Sequence, residues 1–518
     1  IILAVSGLAS GLSIAIVMLT GAKWGGLSSV IPTLAYVLTV SGAMHLVNYS
    51  RTPGKDRMLF RMLRIGWKPC LLSALTTAAG MLSLCRSEFP AIREFGVYCA
   101  CGVVASLACQ LLLLPVFIDW LKPAHLPPVD ENTKSLFLDV LLPRSKATTL
   151  FFLSGSALAG IGLIYLRSDL EVERNFSADA DVMRDIAWLE NHIGPVEQTE
   201  VVVTFRGVDS QGFDRRLEGI AEVENALTQS PDIANTLSVA SWVPGEPRGS
   251  SLAATAKRSA YRKVVQHLRS DLSVTPYLRI EGDAELFRIS TRFPFIGPAN
   301  FKRMKLDVPQ IAKSTLAKEF DDSEFTVEHT GVALLYNTAQ DDLVADLYRN
   351  FAFAFALICP LMMIVLQSVG RGLLAMIPNV CPAVIVYGLL GWCDYPIDIG
   401  MAMTACVALG IAVDDTTHFM LRYRDLENSL IDGARPALRI AFHQCSRAMF
   451  HTTLITGFGL AAFLFAALAA MPRFTGLLIA LITVALCCDL ILLPSLLNLL
   501  PRNSIRAEQR ETPAVEPR

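Results

Sequence analysis

The chain has 518 residues, 53% of them hydrophobic and only 18% charged, with a net charge of −2. A soluble protein carries about 25% charged residues, so the balance excludes a wholly soluble chain and, with no basic excess, a nucleic-acid binder. The twelve cysteines all fall in or near apolar stretches with no CxxC pair, which leaves no disulfide scaffold and no cysteine metal site.

In chain order, ten apolar segments read as membrane-crossing helices: 1–20, 26–48, 69–85, 95–121, 148–166, 350–367, 373–393, 399–421, 449–470 and 475–500. The chain begins at Ile1, already inside an apolar run and with no signal peptide, which predicts a piece of a longer protein. Loop 51–68 carries Arg51, Lys55, Arg57, Arg61, Arg64 and Lys68 against one acid, Asp56. Loop 422–447 carries Arg422, Arg424, Arg435, Arg439 and Arg447. Basic loops stay in the cytoplasm. Counting helices from them puts the linker 122–147 and the tail 501–518 inside, the tail being disordered by composition, and puts 167–349 outside.

The outside region alternates strand and helix patterns. Glu200 to Phe205 reads as a buried strand, and further strands fit near 233–241, 276–281, 285–292 and 324–330. Helices fit at 213–229 and near 253–270 and 307–321, with a last amphipathic helix at 332–349 running into the next membrane segment. This is the pattern of an α+β domain of split βαβ, ferredoxin-like type. The fold expected is thus a polytopic α-helical membrane protein with one such extracytoplasmic domain.

The two membrane parts repeat one another. LTTAAGMLSL (75–84) lies over LITGFGLAAF (454–463), Phe95 over Phe474, and Pro115 over Pro494, at a common offset of 379. Upstream, SGAMHLVNYSR (41–51) lies over DDTTHFMLRYR (414–424) at offset 373. A pseudo-twofold pair of halves follows. Residues 1–121 hold four helices of the first half, 148–166 is the first helix of the second, and 350–500 supplies its remaining five. Symmetry predicts a further helix, outside domain and helix upstream, about 220 residues by analogy with the second half.

Within the segment 399–421, Asp414 and Asp415 follow thirteen uncharged residues. One carboxylate in hydrocarbon costs about 2.5–3.5 kcal/mol, and two neighbours resist ionising together, as a proton-binding site requires. Successive helix residues differ by about 100°, so the two acids face different neighbours. His418 lies one turn after Asp414 on the same face. Proton relay and a cytoplasm-edge packing role both stay open for it. The first half has Ser41 and Gly42 in place of the two acids, so any relay belongs to one half. His45, matching His418, either packs or reaches the acids across the pseudo-twofold axis. Asp489 is a further acid in an apolar run, with Gln110 in its place in the first half. Gly410 and Gly459 permit close helix approach. No metal spacing, P-loop or GxSxG is present, so no enzyme activity, cofactor or metal is expected.

GIAVDD (410–415), with IPNVCPAVIVYGLLG (377–391), FPAIREFGVYCACGVV (89–104) and EHTGVALLYNTAQDDLVADLYRNF (328–351), resembles the resistance-nodulation-division (RND) superfamily of transporters over essentially the whole chain. The modest size of the outside domain is closest to the MMPL and hydrophobe-exporter subgroup. The resemblance implies Asp414, Asp415 and His418 as proton relay. It places the helix carrying His451, Thr452 and Thr453 beside them, where hydroxyls can support the acids. It implies export of hydrophobic or lipid-like molecules from a bacterial inner membrane, powered by a proton gradient. The partners implied are lipids, a homo-oligomer or a periplasmic accessory protein. The alternative is a non-pumping sterol- or lipid-sensing member. A protein-export accessory of the superfamily is set aside because six helices are expected of it.

Overall fold

The computed structural model describes residues 1–22, 24–50, 58–121, 136–168, 180–207, 212–247, 252–294, 298–429 and 434–500. The tail 501–518, residues 51–57 of the first basic loop and most of the linker after residue 121 lie outside the described residues. Two compact units emerge: residues 1–169 with 341–518, and residues 170–340.

The first unit is helical. It contains α1 (Ile2–Leu19), α2 (Ile31–Ser50), α3 (Met58–Leu82), α4 (Pro90–Ala108), α5 (Leu114–Leu121), α6 (Leu136–Leu141) and α7 (Ser145–Gly162). Later in the chain come α12 (Val332–Leu366, its first turns in the other unit), α13 (Val369–Trp392), α14 (Ile399–Ser429), α15 (Ala434–Ala461), α16 (Ala470–Cys487) and α17 (Leu493–Leu499). Among the described residues ten helical stretches are long and apolar enough to cross a membrane. Several outrun the apolar segments that announce them. One helix spans Val332–Leu366 where the sequence shows an amphipathic and then an apolar stretch, and α14 continues to Ser429. Helical hydrogen bonding does not stop where hydropathy does.

Local chemistry sets the helix ends. Pro90 opens α4 at a position that needs no N–H donor. The Ser368 hydroxyl accepts from the Arg371 N–H to cap α13. Asp398 accepts from the Met401 N–H at 2.8 Å at the start of α14 and pairs with Arg473 at 3.0 Å. The repeat extends to backbone irregularities: a π-helical turn interrupts the helix at Cys109–Leu113 and again at Cys488–Leu492. Between α7 and α13 the backbones touch. A Cβ on Gly388 would lie 2.0 Å from the Ala159 carbonyl oxygen, so only glycine fits there.

The second unit holds β1 (Glu197–Phe205), β2 (Asn235–Leu237), β3 (Leu278–Glu281), β4 (Ala284–Phe293) and β5 (Phe325–Thr330), with α8 (Asp181–His192), α9 (Phe213–Thr228), α10 (Leu252–Leu272) and α11 (Pro298–Leu316). The sheet runs β2-β4-β1-β5 with every pair antiparallel, and β3 joins β4 through a two-residue turn at Gly282. β1-α9-β2 followed by β4-α11-β5, with α10 and the edge strand β3 inserted between them, is the ferredoxin-like arrangement. Val201, Val203 and Phe205 alternate inward from β1 and meet Phe287 and Ile289 of β4, with Leu217 and Ile220 of α9 and Val308 of α11 in the same core. Each such side chain contributes about 1.5–3 kcal/mol on burial. Two sequence expectations shift. The strand near 233–241 shortens to β2, because Ser238 and Ser241 close a capping box that turns the chain. The helix expected near 307–321 begins at Pro298 and carries Pro309 inside it.

Candidate proton-binding site

α14 is the most buried of the ten membrane-crossing helical stretches among the described residues, with 83% of an apolar 18-residue stretch of it buried. Small residues line it, among them Gly400, Ala402, Ala405, Gly410 and Ala412, so neighbouring helices approach closely. α3 comes nearest. A Cβ on Gly80 would lie 3.0 Å from Gly410 Cα, and the Thr77 hydroxyl donates to the Gly410 carbonyl at 2.9 Å. Gly410 therefore marks a backbone crossing one turn before the acids. Gly459 of α15 faces α2 instead, where an added Cβ would meet Val37 Cγ2 at 3.3 Å.

Asp414 is 5% exposed. Ser41 Oγ of α2 donates to its Oδ2 at 2.9 Å, and Ser73 Oγ of α3 donates to its Oδ1. His418 Nε2 lies 3.5 Å from the same Oδ1. Asp415, rotated about 100° away, meets His45 Nε2 of α2 at 3.1 Å and the Thr452 hydroxyl of α15. Both acids thus meet α2 of the first half, Asp414 together with α3 and Asp415 together with α15. The two imidazoles stack with centroids 4.2 Å apart and 5° between planes. Tyr49 hydroxyl closes the chain on His418 Nδ1 at 2.8 Å. The result is one connected string, Asp415–His45 stacked on His418–Asp414, with hydroxyls at its ends. Beside Asp414 a cavity of about 20 Å³ is lined by Gly42, Ser73, Thr77, Gln110 and His418. That is room for one water among several polar partners.

The other sequence-derived candidates separate. Thr452 is buried at Asp415, but His451 and Thr453 flank that face half-exposed. His451 Nδ1 lies against the Arg447 carbonyl of its own helix, so its ring is bound locally rather than to the acids. Asp489 is buried, and Thr416 Oγ1 donates to it at 2.7 Å and to Asn379 Oδ1 at 3.1 Å. No hydrogen bond among the described residues joins Asp489 to Asp414 or Asp415. Gln110, its counterpart, donates to the Leu38 carbonyl at 3.0 Å and packs where a Cβ on Gly42 would be. Ser73 and Tyr49 escape a reading of the sequence by motif. A signal for Ser73 exists, since at offset 379 it matches Thr452.

Such a site can take up and release a proton in a dry interior. The carboxylates and imidazoles are linked by hydrogen bonds or ring contact, and the hydroxyls supply donors to the ionised acid. A change of charge there alters the attraction between α14 of one half and α2 and α3 of the other.

Residues 305–515 match the model of the MMPL family. No curated protein matches. Among solved structures, the chain is similar to SecDF, a translocon-associated membrane protein from Thermus thermophilus, with TM-score 0.56 and 14% identity over 98% of this chain and 58% of that one. It is similar to the hedgehog release protein Disp from the water bear Hypsibius dujardini, with TM-score 0.62 and 13% identity over 92% of this chain and 63% of that one. SecDF in a super-membrane-facing form matches with TM-score 0.51 and 14% identity, over 97% and 59%. The chain spans about three fifths of the length of these structures. At such identities the likeness is one of fold. It removes one expectation, because ten helices do not set this chain apart from a translocon-associated protein. The chain is a multi-pass membrane protein with the fold of these structures, and its residues 305–515 carry the MMPL family match.

Proposed function

We propose that this chain works in proton-driven export of hydrophobic or lipid-like molecules across, or out of, a bacterial inner membrane. The observation that carries the reading is the placement of Asp414 and Asp415: adjacent acids of α14, the first buried and the second half-buried, each held by a side chain of the opposite half. On this reading a proton enters from the side of residues 167–349, neutralises the site and leaves toward the basic loops. Neutralisation weakens the hold of Ser41, Ser73 and His45 on α14, and the halves shift between two packings. No covalent step is involved, and the energy source is the proton gradient. The MMPL match and the size of the outside domain support this choice of cargo class; a homo-oligomer or periplasmic accessory protein would be the macromolecular partner.

The test is proton flux in liposomes holding the full-length protein, driven by a pH gradient. Flux in the parent, lost in Asp414→Asn and in Asp415→Asn, is the expected result. Flux untouched by either change contradicts the relay. A second reading, a non-pumping lipid-binding member, is favoured by an apolar cleft of about 550 Å³ walled by Phe151, Phe152 and Leu158 of α7 and Ile385, Leu389 and Trp392 of α13. It predicts saturable lipid binding with no flux in the parent.

A further inference from the structure

A second buried carboxylate lies apart from the Asp414 site. Asp346 of α12 is 2% exposed. Ser87 Oγ, just past the end of α3, donates to its Oδ2 at 2.5 Å, and Asn350 Nδ2 donates to the same oxygen at 2.9 Å. Asn350 is itself 3% exposed, yet its Oδ1 accepts no hydrogen bond among the described residues. A buried amide oxygen without a donor costs about 1–3 kcal/mol and marks a place for a proton-bearing partner such as water. The charged and titratable groups around Asp346 are Arg349, 3.7 Å from its Oδ1, Glu88, which Arg349 also pairs with at 3.0 Å, and the Cys406 thiol of α14. Arg86 lies over the Phe353 ring. Arg349 and Glu88 are both exposed, so one edge of this cluster reaches solvent.

Between the levels of Asp346 and Asp414, hydroxyls recur along α3, interrupted at the Gly80–Gly410 crossing. Ser73, Thr77, Gly80, Ser83 and Ser87 recur at steps of three or four and share one face of α3 and the 3-10 turn that prolongs it. Opposite them Cys406, Gly410 and Asp414 share one face of α14. Contacts tie the α3 face to its neighbours: Ser87 to Asp346 of α12, and Thr77 to the Gly410 carbonyl and Ser73 to Asp414 on α14, while the Ser83 hydroxyl donates to the Gly80 carbonyl of its own helix at 2.6 Å. Eight residues of helix from Cys406 to Asp414 rise about 12 Å, a distance a few hydroxyls and waters span.

We infer that Asp346, with Ser87 and Asn350, is the loading site through which protons from the extracytoplasmic side enter the seam between α3 and α14 and reach Asp414. The inference rests on the proton-relay reading proposed above and on the orientation set by the basic loops. The proton leaves a hydronium at the Arg349–Glu88 edge and binds a carboxylate oxygen of Asp346. It then passes along the seam to Asp414 while Asp346 returns to its ionised state. One proton enters for each that Asp414 later releases inside, and nothing is oxidised or reduced. The same levels of the mirrored seam are not continued outward. Ser83 and Ser87 correspond at offset 379 to Ala462 and Ala466, so the mirrored seam lacks these two hydroxyls.

The experiment measures initial proton flux into liposomes holding the full-length protein, over a series of outside pH values, for the parent, Asp346→Asn, Asp346→Glu and Asp414→Asn. Asparagine keeps the shape and the Ser87 contact but cannot carry the proton. Asp346→Asn is expected to slow flux on the order of 100-fold near neutral outside pH, with recovery as the outside is acidified and the seam is protonated directly. Asp346→Glu restores most of the parent rate, and Asp414→Asn stays inactive at every pH. Loss of flux in Asp414→Asn with Asp346→Asn unchanged, or slowed by one factor at every pH, overturns the loading site alone. Flux retained in Asp414→Asn overturns the relay reading and the loading site with it.

Discussion

Two seams related by the pseudo-twofold axis carry different chemistry on similar packing. In one, α3 lies against α14; in the other, α15 lies against α2. Level by level, Ser73 corresponds to Thr452, Thr77 to Thr456, Gly80 to Gly459, Ser83 to Ala462 and Ser87 to Ala466. On the facing helices Asp414 corresponds to Ser41, Gly410 to Val37 and Cys406 to Thr33. The first seam brings two backbones together at Gly80 and Gly410 and carries hydroxyls on either side of that crossing. The second sets Gly459 against the Val37 side chain and has Ala462 and Ala466 on α15 where the first has Ser83 and Ser87. Helix packing needs only small residues at the crossing and tolerates either filling. Proton binding needs the carboxylates and their donors, and these occupy the first seam. The second lends Thr452 and His45 to Asp415 and Ser41 to Asp414. Symmetry thus fixes where the site sits, and its breaking fixes what the site can do.

Substitutions can break or sharpen this contrast. The largest effect is expected at the acids. Asp414→Asn and Asp415→Asn should each lower proton flux on the order of 100-fold or more, whereas Ser41→Ala should leave measurable flux. Equal losses would make the two seams equivalent. Next comes Ser73→Ala, which removes a hydroxyl donor from Asp414. A hydrogen bond to a charged group contributes about 1.5–3 kcal/mol, which should slow flux clearly, and Thr456→Val at the mirrored Thr77 level should change it little. Thermal unfolding in detergent addresses the crossings. Gly80→Ala drives a Cβ into backbone and should destabilise by about 1–3 kcal/mol. Gly459→Ala meets only a movable Val37 methyl and should fall short of that. The smallest effect is expected from Ala462→Ser. Restoring one hydroxyl to the second seam should leave flux at the parent level, because Ala466 still stands at the next level outward; a rise in flux would show that the second seam conducts.

The contrast also shows what a sequence reveals and what it withholds. The ten spans can be read because long apolar runs have few other uses, and the α+β unit can be read because its strands alternate. Helix ends are lost: α12 begins at Val332 as a polar helix, and hydropathy cannot see that its hydrogen bonding is continuous with the apolar part. The acids stand out because charge in hydrocarbon is expensive. Their partners do not, because one serine in an apolar helix is ordinary; Ser73 acquires meaning only when α3 meets α14. His451 misleads for the complementary reason. Next in sequence to the buried Thr452, it lies off the buried face and binds the Arg447 carbonyl behind it. The π-helical turns that present Gln110 and Asp489 depend on backbone register and leave no mark in composition.

The central claim is that the second-half acids exchange a proton while the first-half groups hold them in place. Infrared difference spectra of the full-length protein between acid and alkaline buffer test it most directly. A protonated-carboxyl band should come and go with pH in the parent and in Ser41→Ala, and should be missing when Asp414 and Asp415 are both changed to Asn. A band that survives the double substitution, or a parent with no titrating carboxyl at all, would contradict the account.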